Sequence, residues 1–397
     1  MKKSLIALAV AGTFTAPAAF AATANVDVYG LLNVMVENID NGRNSKSRIT
    51  TGNNSALGFK GSEDLGGGLK GLWQVEVNVS VDGDNNYAFN TNTATTTANN
   101  VNPGAGGLNG TRNTFLGLAG GFGVVLMGVH DTPYKLATGR LDNFGGTLGD
   151  YNSIMGAFSR CTTPACTAAV DVAGNASAQF DLRPSNVLAY VSPNIQGFQA
   201  RLGYVFSNDS NMNVANINKS NAWSLDASYT QGPLFLVGAY EQHNLYLGLG
   251  GTAIGGGTVS LGNSTGAKTE RTAWKIGGGY KFGDLSVGAI YENIEVGNND
   301  RSAWMLNAGY AMGPITLKAM YMNADDMSGT PNSGASQWNL GVDYALSKRT
   351  MVQFVYANLD NDTNAGYGLG QGSNTMPLSD TVNRDQSGFA VGIRHSF

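Results

Sequence analysis

The second half of the chain repeats one unit, and the placement of its aromatic residues restricts the fold more than any other feature. From about residue 184 onward an alternating strand, a tight turn, a second alternating strand and a polar loop recur. The clearest copies run from Trp223 through Tyr229 to Tyr240, from Trp274 through Tyr280 to Tyr291, and from Trp304 through Tyr310 to Tyr321; each places its two tyrosines eleven residues apart. A looser copy runs from Trp338 through Tyr344 to Tyr356, its spacing stretched to twelve by Ser347-Lys-Arg-Thr350 in the turn. Strand side chains alternate, so Trp274, Ile276, Gly278 and Tyr280 share one face while Ala273, Lys275, Gly277, Gly279 and Lys281 share the other. A soluble sandwich would show the same alternation. The aromatic spacing separates the two cases. At ~3.3 Å per residue and a tilt of about 45°, the distance from tryptophan to tyrosine projects to roughly 15 Å along a barrel axis, in the range of an apolar band edged by two aromatic girdles.

The same parity places sixteen strands near 26–38, 54–63, 69–81, 111–119, 123–131, 184–193, 198–207, 220–230, 234–244, 270–282, 284–296, 301–312, 314–324, 336–346, 350–360 and 387–397. Short gaps, such as those at Asp64 to Gly68 and Gly120 to Gly123, alternate with long ones near 82–110, 132–183, 245–269 and 361–386. Short turns at one end and long loops at the other suit an outer-membrane barrel, and lipid forces closure because no sheet edge can go unpaired there. An even strand number returns both termini to the periplasmic end. In the last strand Phe389, Val391, Ile393, His395 and Phe397 share one face, and Ala390, Gly392, Arg394 and Ser396 the other. The fold class expected is all-β, a sixteen-stranded antiparallel transmembrane β-barrel.

The N-terminus fits export. Met1-Lys-Lys is a basic start, Ser4 to Phe14 an apolar stretch too short to span a bilayer, and Ala19-Phe20-Ala21 a small-x-small cleavage pattern. Residues 1–21 therefore read as a signal peptide and 22–397 as the barrel, with cleavage after Ala24 also fitting. No later run of 18 apolar residues offers a transmembrane helix. Glycine at 55 of 397 residues and proline at only 10 suit short strands and polar loops. Charged residues at 13% are about half the usual share for a soluble domain. An excess of 28 acidic over 24 basic residues argues against nucleic acid as a partner. After export Cys161 and Cys166 are expected to pair. Their C-x4-C spacing matches no common zinc site, and no metal or cofactor is expected.

Several segments resemble the general porins of Gram-negative bacteria, in the branch typical of beta-proteobacteria. They are Val26-Asp-Val-Tyr-Gly30, the block from Gly58-Phe-Lys-Gly-Ser-Glu-Asp to Trp73-Gln-Val-Glu76, Phe115-Leu-Gly-Leu, Gly121-Phe-Gly, Asp131-Thr-Pro-Tyr134 and Val391-Gly-Ile-Arg-His395 with the final Phe397. The resemblance implies a homotrimer of barrels in the Gram-negative cell outer membrane, surrounded by lipid and lipopolysaccharide. Each barrel would be a water-filled channel for small hydrophilic solutes and ions, narrowed by an inward-folded third loop. The C-terminal strand ending in Phe397 would be read by the outer-membrane assembly machinery.

The third loop is then about 132–183, the longest gap, and is expected to set the constriction with Asp131, Tyr134, Lys135, Arg140, Asp142 and Asp150. Passage needs no bond-making, only charged walls that bias entry. Inward parity supplies Lys60, Lys70, Arg201, Lys275, Lys318 and Arg394 as pore-lining bases, and Glu76, Asp226, Glu241 and Glu292 as pore-lining acids. Lys60, Lys70 and Arg394 come from strands 2, 3 and 16, which become neighbours on closure, and the loop acids would face them. Two departures from the family pattern each remove an arginine near the constriction, at Ser55-Ala56 and at Gly128-Val129-His130. A weakly selective pore is therefore expected. The three histidines, His130, His243 and His395, attach to no Ser/His/Asp order or metal pair, which disfavours an enzyme. Gly/Asn/Thr runs without a short period disfavour a β-solenoid. Sixteen strands leave a lumen that side chains alone cannot plug.

Overall fold

The computed structural model describes residues 25–51, 54–82, 107–157, 180–206, 220–246, 252–253, 258–259, 268–370 and 383–397. The expected signal peptide and the Cys161–Cys166 pair lie outside them. Sixteen antiparallel strands close into one barrel: β1 (Asn25–Asp40), β2 (Ser45–Thr51 with Ala56–Gly66), β3 (Leu69–Ser80), β4 (Gly107–Thr111 with Thr114–Gly120), β5 (Gly123–Val129), β6 (Val187–Val191), β7 (Phe198–Phe206) and β8 (Asn221–Gln231). The second half comprises β9 (Leu234–Tyr246), β10 (Lys268–Phe282), β11 (Leu285–Val296), β12 (Asn299–Met312), β13 (Ile315–Ala324), β14 (Ala335–Ala345), β15 (Thr350–Asn361) and β16 (Gln386–Ser396). The two runs of β2 pair with β1, and those of β4 with β3, so each is one strand with a local interruption. Closure comes from β1 pairing with β16, Asn33 opposite Arg394.

Each strand lies where the alternation puts it, with the largest differences at the loop end. The gap read at 39–53 is a tight turn: β1 continues to Asp40, and β2 restarts at Ser45. Short polar side chains make that turn, since the Asp40 carboxylate accepts from Gly42 N at 2.8 Å and the Asn41 carbonyl oxygen from Arg43 N and Asn44 N. β11 and β12 are likewise joined tightly through Gly297 at φ 62°. The Trp/Tyr repeat has a packing reason. Folding at each turn sets the tryptophan diagonal to the second tyrosine, with ring centroids 5.5 Å apart for Trp274 and Tyr291, 5.3 Å for Trp304 and Tyr321, and 5.1 Å for Trp338 and Tyr356. Such pairs contribute about 0.5–1.5 kcal/mol each beyond area burial.

The inner face departs from the small-or-charged pattern on one side. Ile290, Ile294, Met305, Met320, Met322, Val355 and Leu359 point inward and are buried. They pack in one apolar cluster with Tyr134, Leu141, Phe144, Leu148, Ile154 and Met155 of the segment after β5. Loop side chains rather than water cover this wall, so it needs no polar groups there. The segment begins with a short helix, α1 (Pro133–Thr138), started by proline and capped by Thr132, whose hydroxyl accepts from Lys135 N at 3.3 Å.

The chain end completes the barrel. Gly30 N donates to Phe397 O at 3.0 Å and Phe397 N to Gly30 O at 3.1 Å. A Cβ on Gly30 would collide with the Phe397 ring, which uses the bare backbone as its seat. Gly30→Val should therefore displace the ring and destabilise closure by about 1–3 kcal/mol. The expected result is a lower temperature for conversion of the folded, fast-migrating form on a detergent gel; an unchanged transition would contradict it.

Candidate functional site

The segment between β5 and β6 crosses the barrel interior, and its two ends are clamped together at one carboxylate. Asp131, just past β5, receives Lys135 Nζ at 3.0 Å and Arg183 Nε at 3.0 Å, with Asn113 Nδ2 at 2.9 Å. Burial alone would raise its pKa, but the Lys135 and Arg183 cations outweigh it and hold the carboxyl well below the usual range. From there α1 follows the β8 wall, where Tyr134 N donates to Ser224 Oγ at 2.9 Å and Tyr134 OH to Glu292 Oε2 at 2.8 Å.

An irregular segment inside a barrel must find partners for its backbone polar groups. Here the wall strands supply them. Asn307 donates to Leu141 O at 2.5 Å, Asn33 to Gly146 O at 2.9 Å and Asn339 to Gly149 O at 2.7 Å, while the loop's Asn143 side chain donates in turn to Ala308 O of the wall at 3.0 Å. On the return, Arg301 Nη2 donates to Ile154 O at 2.9 Å, and Gly156 N to Glu292 Oε1 at 2.9 Å. Lys275 Nζ meets Asp181 at 2.6 Å and lies 3.9 Å from the Tyr134 ring centroid. The loop is thus fixed to β8, β10, β11, β12, β14 and β1.

Asp142 and Asp150 hold the loop's own backbone. Asp142 accepts from Phe144 N at 2.8 Å and Tyr151 N at 3.3 Å, while Asp150 accepts from Gly146 N at 2.8 Å and Asn152 N at 3.0 Å. Burial pushes both carboxyls up, and the Asp150 charge raises Asp142 further against the two amides it caps. The wall cation Lys318 lowers Asp142 and the loop cation Lys135 lowers Asp150, neither by enough to offset burial.

Most wall charges read from parity are paired. Arg201 meets Asp226 at 2.7 Å and Lys318 meets Asp343 at 2.9 Å, with Lys318 also 4.8 Å from the Phe144 ring centroid. Arg301 meets the Glu292 carboxylate at 3.2 Å, and Glu241 meets His243, whose ring stacks 4.6 Å from Phe180. Lys275, Lys318, Asp226, Glu241 and Glu292 are buried, so they anchor the loop and wall rather than line open water. Glu76 joins Arg112 Nε at 2.5 Å and accepts from Tyr29 OH at 2.9 Å. Lys60 and Lys70 are exposed on the inner face, Lys60 standing 5.1 Å from the Tyr29 ring centroid. Arg140 is exposed 4.1 Å from the Phe235 ring centroid, and Arg394 is half-buried.

A family profile described as Gram-negative porin matches residues 6–364. The chain belongs to this family of porins. It is 28% identical over the full length of both proteins to outer membrane porin protein 32 of Delftia acidovorans. It is also 30% identical, over 62% of this chain and 60% of the relative, to the major outer membrane protein P.IB of Neisseria meningitidis serogroup B. Among solved structures, the anion-selective porin from Comamonas acidovorans superposes with a TM-score of 0.68 at 24% identity, covering 94% of this chain and 100% of that one. Vibrio cholerae OmpT in its trimer form gives 0.61 at 19% identity, covering 94% and 99%. Both likenesses concern the fold. The porin is an outer-membrane channel protein, not an enzyme.

In this porin, closure does not gather Lys60, Lys70 and Arg394. Arg394 stands opposite Asn33 on β1, whereas Lys60 stands opposite Asp27, about 20 Å further along that strand at ~3.3 Å per residue. Lys70 lies further still, opposite Asp64 at the turn end. Parity missed Arg112 because it falls in the interruption of β4. Arg183 and Asp181 sit in the returning loop, beyond any periodic signal. Arg301 was open to detection, since it shares the inward parity of Ala303 and Met305. Removing the Lys275 charge should leave Asp181 buried without its cation, at a cost of about 3–5 kcal/mol. Lys275→Met is expected to lower the thermal transition and add noise to single-channel currents, and a second change, Asp181→Leu, to restore most of both; a quiet, fully stable Lys275→Met porin would contradict the anchoring role.

Proposed function

We propose that this porin is a passive diffusion channel whose third loop, about 132–183, narrows the lumen against the β2–β4 wall and whose field favours small anions. The observation that carries the preference is an imbalance. The loop acids Asp142 and Asp150 are engaged by the loop's own amides, while Lys60, Arg140 and Arg394 have no carboxylate partner among the described residues. Asp27 lies opposite Lys60 in register without forming an ion pair. At the clamp, Lys135 and Arg183 bring two cations to the single Asp131 carboxylate. Uncompensated cations in a narrow, low-dielectric passage raise the local anion concentration. This preference departs from the weak selectivity expected from the missing arginines, because Arg183 brings to the clamp a second cation that alternation does not reach, whereas Arg112 is neutralised by Glu76. The solved relative described as anion-selective is consistent with it.

The porin further fits a homotrimer in lipid and lipopolysaccharide. Outward aromatic pairs run from Tyr204 with Trp223 round to Trp338 with Tyr356. Over β1 to β5 the exposed outward residues are mainly aliphatic, including Val28, Val36, Ile49, Leu116 and Met127, as suits contact with another copy rather than a lipid interface. The seat of Phe397 on Gly30 is formed only once β1 arrives, so the terminal ring stays available to the assembly machinery until closure.

The test is the reversal potential of the purified porin in a planar bilayer under a tenfold potassium chloride gradient. An anion-leaning potential is expected. The triple change Lys60→Gln, Arg140→Gln and Arg394→Gln should move it toward zero or to the cation side. A cation-leaning wild type, or a triple variant with an unchanged potential, would overturn the assignment.

A further inference from the structure

We infer that the outer wall of this porin holds the acyl chain of one phospholipid from the periplasmic leaflet, in a groove that crosses β8 to β12. The wall there is dented into a cavity of about 710 Å³ whose lining includes Tyr229, Gly238, Ile276, Gly278, Tyr291 and Trp304. Strand register explains the dent. Ala227 lies beside Gly238, and Gly278 beside Ala289, so four outward positions in adjacent rows carry almost no side chain. Leu236, Ile276 and Leu306, all exposed, stand around this floor. Five strands at about 4.8 Å spacing give a channel roughly 19 Å from side to side, running across the strands.

The surroundings decide the occupant. The groove lies within the membrane-facing band, between the periplasmic tyrosine row at Tyr229 and the outer tryptophan row at Trp304. Its lining is almost wholly apolar, so water entering it would lack hydrogen-bond partners. An empty dent would forfeit dispersion contacts along its walls. A second copy of the chain does not fit, because girdle pairs continue on both flanks, Tyr204 with Trp223 and Trp338 with Tyr356, and β10 lies across the barrel from the aliphatic face of β1 to β5. Hydrocarbon from the bilayer remains. The turn-end mouth is framed by the Phe198 and Tyr229 rings, 4.4 Å apart, close to the Gly232 turn. A chain entering there comes from the periplasmic leaflet, with its headgroup at the level of Gln231.

Full-length porin in detergent, incubated with palmitoyl-oleoyl phosphatidylethanolamine, tests the assignment by native mass spectrometry. Wild type should retain one lipid per protomer. Gly238→Phe should retain at least tenfold less at equal lipid concentration, and Leu340→Phe, outward and exposed on β14 beyond the groove, as much as wild type. A Cβ at position 238 meets only Ile276 Cγ2, at 4.0 Å, so the phenylalanine has room to fill the groove without disturbing the sheet. Ala227→Phe provides a second filled groove if the first variant does not fold. Wild type that retains no lipid would overturn the inference. So would equal retention by wild type and a folded filled-groove variant, or selective retention of lipid A under the same conditions.

Discussion

Backbone hydrogen bonding in hydrocarbon is the constraint on which the rest of this structure depends. No N–H or C=O facing lipid can be left without a partner, so the sheet has to close, and the last residue has to find the first strand. That requirement is met at Gly30 and Phe397, where the backbones pair and a ring takes the space of a missing side chain. Closure then divides the side chains by parity. Aromatic and aliphatic groups go outward, and within the band between the aromatic girdles the charged groups are sent into a confined interior.

The interior has its own difficulty, because charges gathered inside a barrel repel or must be paired. In this porin the charges are neutralised between loop and wall, within the wall and within the loop. Lys275 of the wall finds Asp181 of the loop, Arg301 finds Glu292 on the neighbouring strand, and the two ends of the loop meet at Asp131. Once the loop covers the β11 to β15 wall, that wall can be apolar, and methionines and isoleucines pack beneath Phe144, Leu148 and Ile154. What stays in contact with open lumen is the smaller set of groups left on the other side. The selectivity proposed for the channel is therefore set by which charges the loop leaves uncovered.

The barrel was legible in the sequence because lipid imposes a strict two-residue period and fixes aromatic depth. Trp274, Tyr280 and Tyr291 reported strand, turn and girdle without any knowledge of contacts. The interior was less legible, for a definite reason. Parity says that Lys275 and Glu292 point inward, but not that a loop far earlier in the chain, from Tyr134 to Asp181, will seal them off. Asp142 and Asp150 read as pore acids because an irregular segment carries no periodic signal, and only its folded path shows that their carboxylates cap amides four residues away or nearer for Asp150, and up to nine away for Asp142. Arg112 was lost at a break in β4, where the period itself fails.

The loop's attachment to one wall implies that the open path runs along the opposite wall, past Lys60, and not past β12. Thiol modification in single channels tests this most directly, in a porin whose Cys161 and Cys166 have been replaced by serine. A charged thiol reagent should step the conductance down quickly in Lys60→Cys and leave Ala303→Cys, which is fully buried under the loop, unaffected. Rapid block at position 303 with none at position 60 would place the channel on the wrong side of the loop and contradict the account.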